Sequence, residues 1–263
     1  MDSRILIEGQ SVKTVWLKRP EVHNAMDERM IAELTEAFQS LGNDKELRAI
    51  VLRGKGKSFC AGADLNYMKS IARFGVEENR QDAKKLAALF QAIYRCPVPT
   101  IAVVHGSAFG GANGLLASCD IVIAGKHTRF AFSEVKLGIA PATIAPFVMR
   151  RIGETGAREL MITGRRFTTD EAERWNLVNR GVDEELLDEV LGETLRHIGS
   201  AGPEAVRETK MLIHKVAESS AMDRLMDYTA ELIAGLRNSP EGQEGMASFL
   251  EKRKPNWMQE KDL

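Results

Sequence analysis

Apolar positions change period along the chain, and the changes divide it into elements. Two β-branched runs, ILIEG and VKTVWL, are separated by Gly9 and Gln10 and predict a hairpin over residues 5–17. Met30, Ile31, Leu34, Phe38 and Leu41 then recur at helical spacing, with Asp27 placed to cap the helix and Gly42 to stop it. A strand is expected over residues 49–52. Residues 73–79, polar with one glycine, read as a mobile surface loop. A helix over 80–94 should follow, with Leu86, Leu89, Phe90 and Ile93 on one face and Pro97 and Pro99 ending it. The stretch PTIAVVHGSAFGGANGLLASCD runs from a buried strand (Thr100, Ile101, Val103, Val104), through Gly106, Gly110 and Gly111, into a buried helix over 112–117. IVIAG and RFAFSE add two more strand-like runs. Strand and helix alternate in this half, which predicts an α/β fold with largely parallel pairing. From residue 144 onward the pattern is almost wholly helical: 144–152, 155–162, 169–175, 183–198, 203–218, 222–234 and 240–252. A change near residue 200 marks a C-terminal helical region, dividing the chain into a core of 1–200 and a helical region of 201–263.

Composition narrows the function classes. The 263 residues carry 36 basic and 37 acidic side chains, a formal net charge of -1, which argues against a dedicated nucleic-acid or polyanion binder. No apolar run is long enough for a signal peptide or a membrane span, so a soluble, cytoplasmic protein is expected. Cys60, Cys96 and Cys119 lie far apart without metal-ligand spacing and read as free, buried thiols. Gly56-Lys57-Ser58 matches the tail of a phosphate loop, but Val51 stands where that motif needs a glycine, so such a site is rejected.

The candidate chemistry lies in two glycine turns, FCAGADL and AFGGANG. Glycine lets a ligand approach the main chain, and a turn leading into a helix leaves amide N–H groups free. If the fold brings the turns together, one carbonyl oxygen can accept from both, an effect of ~3–4 kcal/mol per donor on a developing oxyanion. A nearby base would complete a site for proton transfer next to a thioester carbonyl. His105, at a strand end, and Asp120, after Cys119, read as structural residues. Asn113 is placed to hold a water or to point away. Tyr67 and Met68 follow the first turn and are candidates for an acyl pocket.

The motifs FCAGADL, PTIAVVHGSAFGGANGLLASCDIVIA and FAFSEVKLGIAP, continuing through TGRRFTTDEAERWNLVN to EGMASFLEKRKPNW, closely resemble the enoyl-CoA hydratase/isomerase (crotonase) superfamily over essentially the whole chain. The resemblance implies a crotonase-type spiral of ββα repeats with a C-terminal helical region that builds trimers, often paired into hexamers. It also implies an acyl-CoA substrate, with coenzyme A as part of that substrate, and neither metal nor redox cofactor. Position by position, Ala63 and Gly111 match the two oxyanion-hole N–H donors, and Glu134 matches the later catalytic glutamate. Ala61, Asp64 and Leu65 match positions lining the CoA side. Phe249 and Lys252 match positions that reach the CoA of an adjacent subunit, with helix packing and a plain surface lysine as the alternatives. Lys13, Lys18, Lys55 and Lys57 are candidates for CoA phosphates or plain solubilising charges.

Two departures bear on the reaction. Two-glutamate hydratases carry an earlier glutamate in the helix after the second turn. Here that position is Gly114, which leaves a gap where an acid/base group would stand. After Pro141 the chain reads ATIAPFV where many relatives are glycine-rich. AGADLNYM, Gly114 and SEVKLGIAPA together resemble a bacterial branch of methylglutaconyl-CoA hydratase type. The leading expectation is a lyase that adds or removes water across the 2,3 double bond of an acyl-CoA, on a branched or glutaconyl-type acyl group. A Δ3,Δ2-enoyl-CoA isomerase with one base, or a catalytically weak acyl-CoA- or RNA-binding member, are the alternatives.

Overall fold

The structure, a computed structural model, describes residues 3–258. Its elements are β1 (Ile5–Glu8), β2 (Val12–Leu17), α1 (Glu28–Gly42), β3 (Ala49–Gly54), α2 (Leu65–Ile71), α3 (Val76–Arg95), β4 (Thr100–Val104), β5 (Ser107–Phe109), α4 (Ala112–Ser118), β6 (Ile121–Gly125) and β7 (Arg129–Ala131). They continue with α5 (Ala145–Thr163), β8 (Arg166–Thr168), α6 (Thr169–Arg174), β9 (Arg180–Val182), α7 (Leu187–Ser200), α8 (Pro203–Glu218), α9 (Met222–Asn238) and α10 (Pro240–Leu250). Six strands form one sheet in the order β1-β2-β3-β4-β6-β9, antiparallel only at β1–β2. The expected hairpin is thus the antiparallel edge of a parallel sheet. A second sheet, β5-β7-β8, holds the strand before the second glycine turn beside the strand before Glu134.

Period-2 alternation explains how the large sheet is covered. On β3 and β4, Ile50, Leu52, Ala102 and Val104 face the main core, where Phe38 of α1, Phe90 of α3 and Leu115 of α4 pack. The alternate residues Ala49, Val51, Ile101 and Val103 face a smaller core closed by Leu187, Val190 and Leu191 of α7. Both faces are buried, so these strands read as unbroken apolar runs.

Local signals mark several helix starts. The Asp27 carboxylate accepts from the Met30 N–H at the start of α1, and Asp64 accepts from the Asn66 and Tyr67 N–H groups at the start of α2. Such caps contribute about 1 kcal/mol each. Two expectations need correction. Most of the predicted loop at 73–79 is helix, because α3 begins at Val76 and Glu78 reaches back to the Gly75 N–H. The two helices expected over 144–162 are both present, as the two arms of α5 on either side of a non-helical break at Gly153, whose φ is 71°. Finally, the region after residue 144 is not purely helical: β8 joins the small sheet, and β9 adds the last strand of the large one.

Candidate active site

The segment from Arg19 to Asp27 brings the two glycine turns together. Met26 pairs in parallel with Ala63: the Met26 N–H donates to the Gly62 carbonyl at 2.7 Å, and the Asp64 N–H donates to the Met26 carbonyl at 2.9 Å. The first turn also lies along β5. The Cys60 N–H donates to the Ser107 carbonyl, and the Phe109 N–H donates to the Cys60 carbonyl. Gly62 has φ 99°, and a Cβ there would meet the Phe109 carbonyl oxygen at 2.9 Å, so only glycine lets the strands approach this closely. On the other turn, a Cβ on Gly111 would lie 3.0 Å from the Met26 Cε. Met26 therefore touches both turns and sets their spacing. Neither turn's pattern singled it out in the sequence.

Among the described residues, no hydrogen bond uses the N–H of Ala63 or of Gly111. Ala63 is exposed and Gly111 partly so. Two free main-chain donors on adjacent turns can share one oxyanion.

Glu134 opens the 3-10 turn Glu134–Leu137, directly after β7. The Gly110 N–H donates to the Ala131 carbonyl at 2.9 Å, which ties the second turn to the strand that delivers Glu134. A Cβ on Gly110 would stand 3.4 Å from the Glu134 Oε1, so the carboxyl group lies against the glycine's main chain. Oε2 is enclosed and has no hydrogen-bond partner. Burial pushes the carboxyl above the ordinary glutamate range, and a hydrogen bond from its own main chain only partly offsets this. A carboxyl that holds its proton more tightly than usual is suited to accept one and return it.

The remaining sequence candidates fall into place around these groups. Asn113 is fully buried with its Oδ1 unpartnered, and its Nδ2 donates to the carbonyls of Ala108, Gly110 and Ala131, fastening α4 to β5 and β7 of the small sheet. Gly114 leaves no gap. A Cβ there would lie 2.5 Å from the Ile144 Cγ2 and 2.7 Å from the Phe90 Cζ. The expected vacancy is an apolar wall, backed by the edge-to-face pair Phe90–Phe147 at 6.0 Å. His105 meets the Gly56 carbonyl, and Asp120 pairs with Lys210 and Thr100, both structural as read. Ala61 donates its N–H to the His23 carbonyl, and Leu65 is 74% exposed beside Ala63. The Asp64 carboxylate is buried and engaged by Arg19 and the α2 cap, so it presents no side-chain charge outward.

Tyr67 spends its hydroxyl on Asp82 of α3, and its ring packs on the main core; Met68 is half-buried. Lys13 donates to the Gly9 carbonyl, Lys55 lies over the Trp16 ring, and Lys18 and Lys57 are exposed. The three cysteines are free and buried; burial pushes the Cys60 thiol up to about 12, so it is no nucleophile. Phe249, 82% exposed, and Lys252 sit at the end of α10, which packs on α8 and α9, so within one chain they are not gathered with Ala63, Gly111 and Glu134. A cavity of about 350 Å³ between α3 and α5 is lined by Tyr94, Arg95, Thr143, Phe147, Arg150 and Glu218; none of the three proposed catalytic positions lines it. No helix among the described residues is long and apolar enough to cross a membrane.

The chain is similar to known proteins over nearly its whole length. The family model "Enoyl-CoA hydratase/isomerase" matches residues 8–260. Crotonyl-CoA hydratase of Syntrophomonas wolfei is 32% identical over 257 residues, covering 97% of each chain. Pseudomonas aeruginosa AtuE superposes with a TM-score of 0.94 at 37% identity, covering 97% of this chain and 99% of that one. An enoyl-CoA hydratase/isomerase from Marinobacter aquaeolei superposes at 0.92, also at 37% identity and with the same coverage. With the crotonase fold present and the match running nearly end to end, the chain belongs to the enoyl-CoA hydratase/isomerase family of enzymes.

Proposed function

We propose that the protein is an enoyl-CoA hydratase-type lyase that works with a single carboxylate. The observation that carries this reading is that two turns touched by Met26 each carry an unengaged N–H, on Ala63 and Gly111, while the Glu134 carboxyl, with Oε2 enclosed and unpartnered, lies against Gly110 of the second turn. The thioester oxygen of a 2-enoyl-CoA accepts from both N–H groups. Glu134 takes a proton from water as its oxygen bonds to C3. The electron pair of the double bond moves onto the thioester oxygen as an enolate, held by the two donors. Glu134 then returns its proton to C2, which balances the addition of one water. Coenzyme A enters as part of the substrate, and the scheme calls on no metal or redox group.

AGADLNYM and SEVKLGIAPA support a branched or glutaconyl-type acyl group. The exposure of Phe249 and Lys252 at the end of α10 supports their use on the CoA of a second copy in a trimer or a dimer of trimers. Glu134→Gln should lower kcat by ~10²–10⁴-fold while acyl-CoA binding persists. Unchanged turnover overturns the assignment.

The apolar wall at Gly114 favours a second reading. Phe90 and Ile144 stand where a second carboxylate would flank the water, and a lone base also suits Δ3,Δ2-enoyl-CoA isomerisation. Incubating a 3-enoyl-CoA in deuterated water separates the two. An isomerase yields the 2-enoyl product with deuterium exchange and no gain of water, whereas a hydratase yields a 3-hydroxyacyl product from the 2-enoyl substrate.

A further inference from the structure

We propose that Arg19 is a positioning residue for the Ala63 N–H, acting through Asp64. The proposal rests on the reading of Ala63 and Gly111 as the donors to the thioester oxygen. Arg19 follows β2 and is 8% exposed, an uncommon place for a guanidinium unless it is paired. Its Nη2 lies 3.0 Å from the Asp64 Oδ2, and its Nη1 lies 3.3 Å from the Asp27 Oδ2 and donates to the Ala25 carbonyl at 2.7 Å. One cation thus bridges the carboxylates that cap α1 and α2. The two carboxylates are not equivalent. Asp27 has a second cation, Arg4, at 3.0 Å, whereas Arg19 is the one cation paired with Asp64 among the described residues.

This bridge sits one residue from the candidate donor. The Asp64 N–H is pinned to the Met26 carbonyl, and the Met26 N–H to the Gly62 carbonyl. Successive N–H groups of an extended segment point to opposite sides. With Asp64 donating to Met26, the Ala63 N–H is therefore turned away from Met26 and stays free. The segment bearing Arg19 is itself held: the Arg19 N–H donates to Asn24 Oδ1, and Asn24 Nδ2 donates to the carbonyls of Lys55 and Ser58. Removing the guanidinium leaves the Asp64 carboxylate buried without its counter-ion. The turn then shifts to solvate that charge, and the aim of the Ala63 N–H is lost with it.

The test uses the full-length protein with a non-reacting acyl-CoA and an enoyl-CoA substrate. The readouts are the thioester C=O stretching frequency of the bound ligand, by difference Raman or isotope-edited infrared spectroscopy, together with kcat and KM. In the wild-type protein the stretch should fall on binding. Arg19→Met and Asp64→Asn should each recover much of that fall. Both should lower kcat by ~10-fold or more, short of the ~10²–10³-fold loss of an entire donor, with KM moving by less than about threefold. Arg19→Lys should rescue part of both effects. Asp27→Asn, which touches the other arm, should lower the thermal midpoint without moving the stretch. If Arg19→Met does not fold, Asp64→Asn decides, because it leaves Arg19 paired with Asp27. Folded variants with the full wild-type shift and wild-type kcat overturn the role of Arg19. Absence of any shift in the wild-type protein overturns the oxyanion reading instead.

Discussion

Glu134 shows how far one side chain can be read alone. Burial raises its pKa above the ordinary 4.5, so the folded state holds that proton more tightly than the unfolded chain does. The resulting stability is fully present below the ordinary carboxylate pKa and is lost as pH rises through the raised value. The acid limb of the kcat/KM profile should therefore lie above the usual carboxylate range, since the base must be ionised to accept a proton. Glu134→Gln should raise the thermal midpoint at neutral pH, with the gain shrinking as the medium is acidified. Scanning calorimetry across pH checks the sign, and an equal or lower midpoint at neutral pH contradicts it. Resemblance in SEVKLG pointed to Glu134, and resemblance in the two glycine turns pointed to Ala63 and Gly111. Arg19 and Met26 were not. One is a single charge after a strand and the other a single apolar residue before a helix, and their partners lie 45 and 37 positions away in Asp64 and Ala63. Only tertiary structure gives them a role.

Elements were legible where the signal is local. The cap at Asp27, the 3.6-residue period of α1 and the small-residue helix α4 all lie where the pattern put them. Strands β8 and β9 were missed because each is three residues long and owes its existence to pairing with β7 and β6. The same limit hid the meaning of Gly114. Its sequence position suggested a missing acid, but α3 and the start of α5 close on it from outside α4. Gly114→Ala should therefore destabilise the protein by roughly 1–3 kcal/mol, the usual cost of overpacking a filled core. Gly114→Glu should not yield a two-carboxylate hydratase but should unfold the protein or strongly destabilise it, since the new side chain would displace Phe90 and Ile144. Denaturant titration measures both; a folded, more active Gly114→Glu variant would show that the wall yields easily.

At the scale of the whole molecule, the helical C-terminal region is fastened to the sheet through buried charge. Lys210 of α8, 7% exposed, donates to the Asp120 Oδ2 at 2.7 Å and to the Val98 carbonyl at 3.2 Å. Asp120 also accepts from the Thr100 N–H and hydroxyl. The pair joins α8 to β4 and to the turn between α4 and β6. The two partners should not be equally sensitive. Lys210→Met leaves a carboxylate that keeps two donors and some solvent, and should cost about 1–3 kcal/mol. Asp120→Asn leaves an ammonium enclosed without a counter-charge and should cost more, toward ~3–5 kcal/mol. Unfolding midpoints of the two variants rank them, and limited proteolysis should find cleavage first in residues 201–258. Equal midpoints would mean that the pair is solvated in both variants.

The donors proposed on Ala63 and Gly111 belong to the peptide backbone, and on that reading half of the site has an unusual kind of heredity. No codon change erases an amide hydrogen except one to proline, and no side-chain scan reports its contribution directly. Most substitutions at the exposed Ala63 would change the side chain there while leaving its N–H in place. The reaction can therefore be altered by exchanging the base and the opposing wall, while the device that accepts the negative charge is carried unaltered by the fold.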